Sequence, residues 1–129
     1  MKVRDYMSPA PVTVGTGAEY MKAYEMMQAK GLHHLPVVDG TRNVIGMVAL
    51  RDLQLAARCY GSAPAEVGDV MHRPVVTIGP DADLGAAADR MRNESIGSLP
   101  VVDEDDGHLV GMIPETDLLR ALSVLLASP

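Results

Sequence analysis

Few residues of this chain have the type and spacing that catalysis or metal binding requires. His33 and His34 are adjacent, and neighbours on an extended segment point to opposite faces, so this pair is not predicted to hold a metal ion. Cys59 is the single cysteine and has no predictable base beside it, which favours a buried or interface thiol over a nucleophile. The acidic run from Asp103 to Asp106 lacks the spacing of a calcium loop and is interpreted as a solvated turn.

Catalytic motifs are also missing from the sequence. It contains no glycine-rich phosphate loop, no Ser-His-Asp order typical of a hydrolase and no HExxH motif. We therefore predict that the chain is not an enzyme and requires no cofactor for a reaction.

The composition indicates a soluble domain with an aliphatic core. The 129 residues include no Phe and no Trp, so Val, Leu, Ala and nine Met must fill the interior. Eleven Lys and Arg against 17 Asp and Glu give a formal net charge of −6, the wrong sign for neutralising the phosphates of a nucleic acid. No stretch has the pattern of a signal peptide or a membrane span. We predict a cytoplasmic protein that binds neither nucleic acid nor membranes.

An internal repeat organises the chain. Residues 7–39 align with residues 71–103, and the block LPVVD recurs whole within both. A second shared pattern, G-h-h-x-x-x-D-L with h hydrophobic, runs over 46–53 and 111–118. We predict one repeat over 1–60 and another over 67–129, joined by a linker at 61–66 that carries Gly, Ser and Pro.

Each repeat is predicted to have the element order β-α-β-β-α. Short β-branched runs at 11–14 and 75–78 are each followed by a helix. Two buried strands then flank a polar turn, and an apolar-striped helix closes the repeat. A repeat of this size exposes one face of its sheet, so we predict a mixed α+β (α/β) fold in which the two repeats pack sheet to sheet about a pseudo-two-fold axis. The helices are predicted at 17–31, ending on Gly31, at 82–95, with Asp81 or Asp83 as N-cap, and at 51–60 and 115–127; the turns are predicted at 39–43 and 103–108.

With these motifs duplicated and in order, the chain resembles a tandem pair of CBS domains, the regulatory module named after cystathionine β-synthase. The resemblance covers nearly the whole chain. It rests on D-x-M near each repeat's start (5–7 and 69–71), the PVTV-type first strand, the LPVVD block and the G-h-h pattern. It implies a cleft between the repeats that binds an adenosine-containing ligand such as AMP, ADP, ATP or S-adenosylmethionine, and a role in regulating a partner protein.

The resemblance also implies which residues contact that ligand. Asp52 and Asp117, which close the G-h-h pattern, are expected to accept hydrogen bonds from ribose hydroxyls, although a first-turn acid also suits a helix cap. The backbone just before LPVV is expected to contact adenine. Methionine on the neighbouring strands suits the flat apolar face of a purine, although a methionine in such a strand is more often part of the core. By the pseudo-symmetry, one pocket combines Val12, Leu32, His33 and His34 with Met112 and Asp117, and the other combines Val76, Ile96, Gly97 and Ser98 with Met47 and Asp52.

The sequence departs from the family pattern in both pockets. The Ser or Thr that precedes the Asp by three residues is replaced by Ala49 in one repeat and Pro114 in the other, so neither pocket has that hydroxyl. Weak, single-site and absent binding all stay open. Arg51 is the preferred cation for a phosphate, ahead of Arg73 and Arg120, because it directly precedes Asp52. The Asp52 pocket is therefore predicted to be the better equipped for a phosphate.

The closing helix at 115–127 carries more apolar residues than one helix face can bury against a small sheet. This excess favours a partner surface, and a homodimer formed through the closing helices is the preferred interpretation. A docking site for an unknown effector protein is the alternative. Two functions stay open: a sensor that binds an adenosine ligand and signals to a partner, and a constitutive dimerisation or interaction module whose pockets no longer bind.

Overall fold

The computed structural model describes residues 1–9, 11–61, 65–73 and 75–127, and the chain divides into two compact units. One unit spans Val12–Val75 and is here called the Asp52 unit. The other joins Met1–Pro11 to Val76–Pro129 and is here called the Asp117 unit. Each unit thus combines the start of one sequence repeat with the remainder of the other. Residues 62–64, in the middle of the predicted linker, lie outside the described residues.

Helices and short strands are interspersed along the described part of the chain. In chain order they are α1 (Val3–Tyr6), β1 (Ser8–Pro9), β2 (Val14–Gly15), α2 (Tyr20–Lys30), β3 (His34–Val38), β4 (Val44–Ala49), α3 (Leu50–Tyr60), α4 (Val67–Val70), α5 (Leu84–Glu94), β5 (Ser98–Val102), β6 (Leu109–Pro114) and α6 (Glu115–Ala127). Two three-stranded sheets result, ordered β2-β3-β4 in the Asp52 unit and β1-β6-β5 in the Asp117 unit. The mixed α+β fold predicted from the sequence is confirmed.

The same antiparallel hairpin lies at the centre of each unit. β3 pairs with β4, with Val37 opposite Gly46, and β5 pairs with β6, with Val101 opposite Gly111. Both hairpins shift register at the next residue, before the polar turn. The repeat in the sequence is therefore also a repeat in strand register.

One carboxylate holds each polar turn. Asp39 Oδ1 accepts hydrogen bonds from the Thr41 N–H and hydroxyl, both at 2.8 Å, and from the Asn43 N–H at 3.0 Å. These bonds, the one from the Thr41 hydroxyl foremost, stabilise the charged form and lower the pKa of Asp39 below its ordinary value of 3.8. Asp103 Oδ1 accepts the Asp105 N–H at 2.8 Å in the corresponding turn. The turns predicted at these positions are thus confirmed.

The two central helices, α2 and α5, each bury one face with residues at the i, i+3 and i+7 spacing. α2 ends on Gly31, as predicted, with a φ of 67° in the left-handed region that favours glycine. α5 begins after Asp83, one of the two predicted N-caps, although the Asp83 side chain makes no capping hydrogen bond. The buried residues are Tyr20, Ala23 and Met27 in α2, and Leu84, Ala87 and Met91 in α5.

Two glycines of the G-h-h pattern allow a methionine to approach the sheet closely. A Cβ at Gly111 on β6 would lie 2.7 Å from Met7 Sδ. Gly46 on β4 lies against Met71 in the same way. Each methionine is the last residue of a D-x-M motif and follows a short helix, α1 or α4. The two family motifs therefore meet in the fold, and the glycine is needed because any side chain would displace the methionine.

The first strands are shorter than predicted. The run at 11–14 contributes only its last residue, to β2. The run at 75–78 contributes an isolated parallel bridge between Ile78 and Val101. Pro11 has no N–H to add to a ladder, which limits the first of these strands. The four-residue helices α1 and α4 were not predicted, because so short a segment has no readable periodicity.

Candidate functional site

The two candidate ribose-contact carboxylates, Asp52 and Asp117, each lie just after a strand passes directly into a helix. β4 ends at Ala49 and α3 begins at the next residue, and β6 passes into α6 in the same way. The third helical residue is then Asp52 in one unit and Asp117 in the other. Each carboxylate is therefore fixed in the first turn of a helix of eleven or thirteen residues.

A backbone hydrogen bond connects each helix start to the segment that precedes the neighbouring strand. The Leu50 N–H donates to the His33 carbonyl at 2.9 Å, and the Glu115 N–H donates to the Gly97 carbonyl at 2.8 Å. Leu32, His33 and His34 therefore lie beside the start of α3, and the corresponding residues 96–98 lie beside the start of α6. Within each unit the structure thus sets an adenine-contact segment beside the helix start that carries a ribose-contact carboxylate, residues 32–34 with Asp52 and residues 96–98 with Asp117. The pockets predicted from the sequence pair these segments with the carboxylates the other way.

In the Asp52 unit, both carboxylate oxygens have donors. Asp52 Oδ2 accepts the Ala49 N–H at 2.9 Å, and Oδ1 lies 2.8 Å from His72 Nε2. Since a carboxylate only accepts, His72 Nε2 carries the proton in this bond. The backbone of His72 is itself fixed by reciprocal hydrogen bonds with Met47, at 2.8 and 3.0 Å. The Asp52 side chain is only 16% exposed, whereas the His72 side chain is 69% exposed.

In the Asp117 unit, the corresponding carboxylate lacks these partners. Pro114 stands where the other unit has Ala49, and proline has no N–H to donate. Asp117 Oδ2 is buried and has no hydrogen-bond partner among the residues that the structure describes. Oδ1 lies 3.6 Å from Arg120 Nη2, beyond hydrogen-bond range. Ser8, at the position of His72 in the repeat, is exposed and pairs through its backbone with Met112.

The three candidate cations differ in their contacts. The Arg120 guanidinium lies over the Tyr6 ring, 4.8 Å from its centroid, and donates to the Tyr6 carbonyl at 3.1 Å. Arg120 thus fastens α1 to α6 in the Asp117 unit. The side chains of Arg51 and Arg73 are exposed and make no hydrogen bond or ion pair with any described residue.

The apolar candidates belong to the cores of their own units. Val12 and Leu32 are half-buried against the core of the Asp52 unit, and Val76 and Ile96 are half-buried against that of the Asp117 unit. Met112 is buried in the sheet, while Met47, His34 and Gly97 are half-buried, His33 is exposed and Ser98 is buried. Each of the two pockets predicted from the sequence takes residues from both units.

Sequence reasoning missed one residue of this site, His72. The available signal was the repeat alignment itself, which sets His72 opposite Ser8. Within residues 1–9, 11–61, 65–73 and 75–127, no three or more His, Cys, Asp or Glu side chains are placed to hold a metal ion. No helix in these ranges is long and apolar enough to cross a membrane.

A family model for the CBS domain matches the chain twice, over residues 3–58 and 67–124. Among curated relatives, a homoserine O-acetyltransferase of Methanococcoides burtonii is 35% identical over 122 residues. That match covers 93% of this chain and 24% of the relative, so the chain spans about a quarter of the length of that enzyme.

Solved structures share the fold over nearly the whole chain. The CBS domain pair of protein MJ0100, in complex with 5′-methylthioadenosine and S-adenosyl-L-methionine, superposes with a TM-score of 0.87 at 26% identity, covering 97% of this chain and 98% of that one. CBSX2 of Arabidopsis thaliana, in complex with AMP, superposes with a TM-score of 0.82 at 26% identity, covering 97% and 98%. Each of these proteins holds an adenosine-containing ligand.

Proposed function

Because the chain belongs to the CBS domain family, with one match in each repeat, we propose that it is a regulatory module that binds an adenosine-containing ligand and signals to a partner protein. One observation carries the proposal: two residues before each first-turn carboxylate, the N–H of Leu50 or Glu115 donates a hydrogen bond to the carbonyl of His33 or Gly97, just before the neighbouring strand. A carboxylate can accept both hydroxyls of a ribose, and the adjacent backbone can bind the edge of an adenine. The ligands named for the two similar structures support this choice of class.

The ligand class is tested by thermal unfolding of the purified protein with AMP, ADP, ATP, 5′-methylthioadenosine, S-adenosylmethionine and, as a control for the base, GTP. A ligand present at a hundred times its Kd stabilises the folded state by about 2.7 kcal/mol, which raises Tm by roughly 8 °C for a domain of this size. We expect an adenine-specific rise that the double substitution Asp52→Asn/Asp117→Asn abolishes. Equal shifts with GTP, or none with any ligand, would contradict the proposal.

A constitutive interaction module is the second candidate. It is favoured by Ala49 and Pro114, which remove the family hydroxyl from both sites, and by His72, which occupies Asp52. Such a module would gain no stability from any ligand in the panel. The thermal measurement therefore separates the two functions.

We further propose that the chain forms a homodimer through α6. Leu119, Leu122 and Leu126 follow the i, i+3, i+7 spacing of one helix face and are 60%, 47% and 76% exposed. A stripe of this kind is favourable in water only when it is covered. Sedimentation should give a dimer for the wild type and a monomer for Leu122→Glu/Leu126→Glu; a wild-type monomer would make the effector protein the preferred partner of this face.

Two further properties, the absence of catalysis and the location in the cell, belong to the same proposal. We propose that the chain has no catalytic activity of its own and that it acts in the cytoplasm. In the longer relative that is named as an enzyme, about three quarters of the length has no match in this chain. Assay of the purified chain for acetyl transfer to homoserine tests the first property, and cell fractionation tests the second.

A further inference from the structure

We propose that the two carboxylates differ in availability: the ligand binds first at Asp117, and His72 keeps Asp52 closed. This inference rests on the proposed function and concerns which site works and what controls the other. It follows from the contacts around the two carboxylates, which are nearly equal in exposure at 16% for Asp52 and 17% for Asp117. Access for solvent therefore does not separate them, and their partners do.

The Asp52 carboxylate is held in one orientation. One oxygen accepts the Ala49 N–H and the other accepts His72 Nε2, at 2.9 and 2.8 Å. A ribose diol that uses both oxygens must take the place of the imidazole. The bond to His72 is charge-assisted, because the acceptor is ionised, and its loss lowers the net gain from binding. Ligand binding at Asp52 thus begins with the breaking of an existing contact.

The Asp117 carboxylate has no such contact to lose. Pro114 supplies no N–H, and Oδ2 has no hydrogen-bond partner in the described part of the Asp117 unit. Rotation about χ2 of an aspartate is broad, so this carboxylate can turn toward an incoming hydroxyl. A buried acceptor without a donor is also unfavourable by itself. A ligand hydroxyl that donates to it removes this penalty, and binding there is strengthened.

Other groups near Asp117 do not change the expectation that the ligand binds at Asp117 before it binds at Asp52. Arg120 is already engaged with the ring and carbonyl of Tyr6, and its Nη2 is 3.6 Å from Asp117 Oδ1. It balances the carboxylate charge while leaving the hydrogen-bonding positions of the carboxylate available to the ligand. Ser8, which stands in the position of His72, is a short exposed side chain.

His72 acts as a gate because its side chain can leave. Its imidazole is 69% exposed, while the backbone of His72 is fixed to Met47 by two hydrogen bonds. Turning the ring outward therefore needs only a rotamer change. The second site opens when the ring moves away, at a ligand concentration about tenfold higher than the first, since a lost hydrogen bond of this kind reduces affinity by about that factor.

The inference is tested by isothermal titration of the whole chain with AMP, 5′-methylthioadenosine and S-adenosylmethionine in turn, using the one that binds most tightly. We expect one tight site per chain in the wild type. Asp117→Asn should weaken it at least tenfold, and Asp52→Asn should change it less than threefold. His72→Ser, which copies the residue of the other unit, should yield a second site of similar affinity, and His72→Ser/Asp52→Asn should return the count to one.

Matched controls separate binding from folding. Ser8→His adds an imidazole to the Asp117 unit and should weaken the tight site, and thermal unfolding of every variant without ligand reports whether it is folded. A tight site that depends on Asp52, or two equal sites in the wild type, would overturn the inference and leave the proposed function in place. No binding of any of the three ligands to wild type or to His72→Ser would overturn both.

Discussion

The starts of α3 and α6 are equivalent in sequence repeat and backbone path, and yet they treat the same residue type in opposite ways. Asp52 caps the N–H of Ala49 and holds His72, whereas Asp117 has an oxygen for which no described residue provides a donor. Two substitutions between the repeats, Ala49 to Pro114 and His72 to Ser8, account for this difference. One carboxylate is therefore a structural cap, and the other is a free acceptor.

The largest difference between the two units is expected in the free energy of unfolding when each carboxylate is removed in turn. Asp52→Ala should lower the free energy of unfolding by about 2 kcal/mol, because a helix-capping bond and the His72 bond are both lost. Asp117→Ala should change it by no more than about 0.5 kcal/mol, since the carboxylate makes no hydrogen bond with any residue that the structure describes. Urea unfolding measures both. Equal losses would mean that Asp117 has the same capping role as Asp52.

Exchanging Ala49 and Pro114, the residues directly before α3 and α6, should reverse the difference in helix capping between the two units. Ala49→Pro removes the N–H that Asp52 caps and should cost about 1 kcal/mol, the usual value of a helix cap. Pro114→Ala supplies that N–H to Asp117 and should add about 0.5 kcal/mol, because the new cap outweighs the entropy that proline removes from the unfolded chain. Urea midpoints at constant m-value are the measurement. A loss of stability in Pro114→Ala would show that the N–H does not reach the carboxylate.

Arg120 gives a smaller test of the Asp117 unit. The repeat places Leu55 at this position in the other unit, so Arg120→Leu is a matched substitution. It removes the contact with the Tyr6 ring and carbonyl and should cost about 1 kcal/mol. Hydrogen exchange should then increase in α1. The reverse substitution, Leu55→Arg, has Val70 at the position that Tyr6 takes in the other repeat and should be neutral.

The smallest effect concerns the turn at 39–43 and its dependence on pH. The pKa of Asp39 is lower in the folded state than its ordinary value of 3.8, because Thr41 and Asn43 donate to the carboxylate. A lowered folded pKa contributes stability above the unfolded pKa, and this contribution is lost as the pH falls through the folded pKa. Asp39→Asn should therefore reduce the dependence of stability on pH below about pH 4. An unchanged dependence would show that Asp39 does not contribute.

Much of the fold was predictable because the spacing of apolar residues and the internal repeat indicate where its helices and strands lie. Helical spacing located α2 and α5, Gly31 located the end of α2, and the recurring LPVVD block located the central strands. The short helices α1 and α4 have too few residues to show a period. The assignment of residues 1–11 to the unit formed by the second repeat depends on packing at long sequence distance, which composition and spacing do not encode.

The site was predictable in part. The repeat and the family pattern identified Asp52 and Asp117, and the structure places both in first helical turns. Pro114 was noticed for the hydroxyl that it lacks, whereas the structure gives equal weight to the N–H that it lacks. His72 was missed because its contact with Asp52 forms across twenty residues of chain. That the Asp52 pocket is the better equipped for a phosphate, through Arg51, stays a prediction. The inference that the ribose binds first at Asp117 favours the opposite site.

The division of the chain into units has a consequence for fragments. The backbone passes from one unit to the other at 11–12 and again at 75–76, and both passages lie away from the segment at 61–66. A protease cut in that segment would yield two polypeptides, each of which supplies elements to both units. β1 would still need β6 for its partner, and Gly46 would still need Met71 beside it. The two halves are therefore suited to fragment complementation. When they are expressed together as two separate chains, they should reassemble into a cleaved but native-like protein.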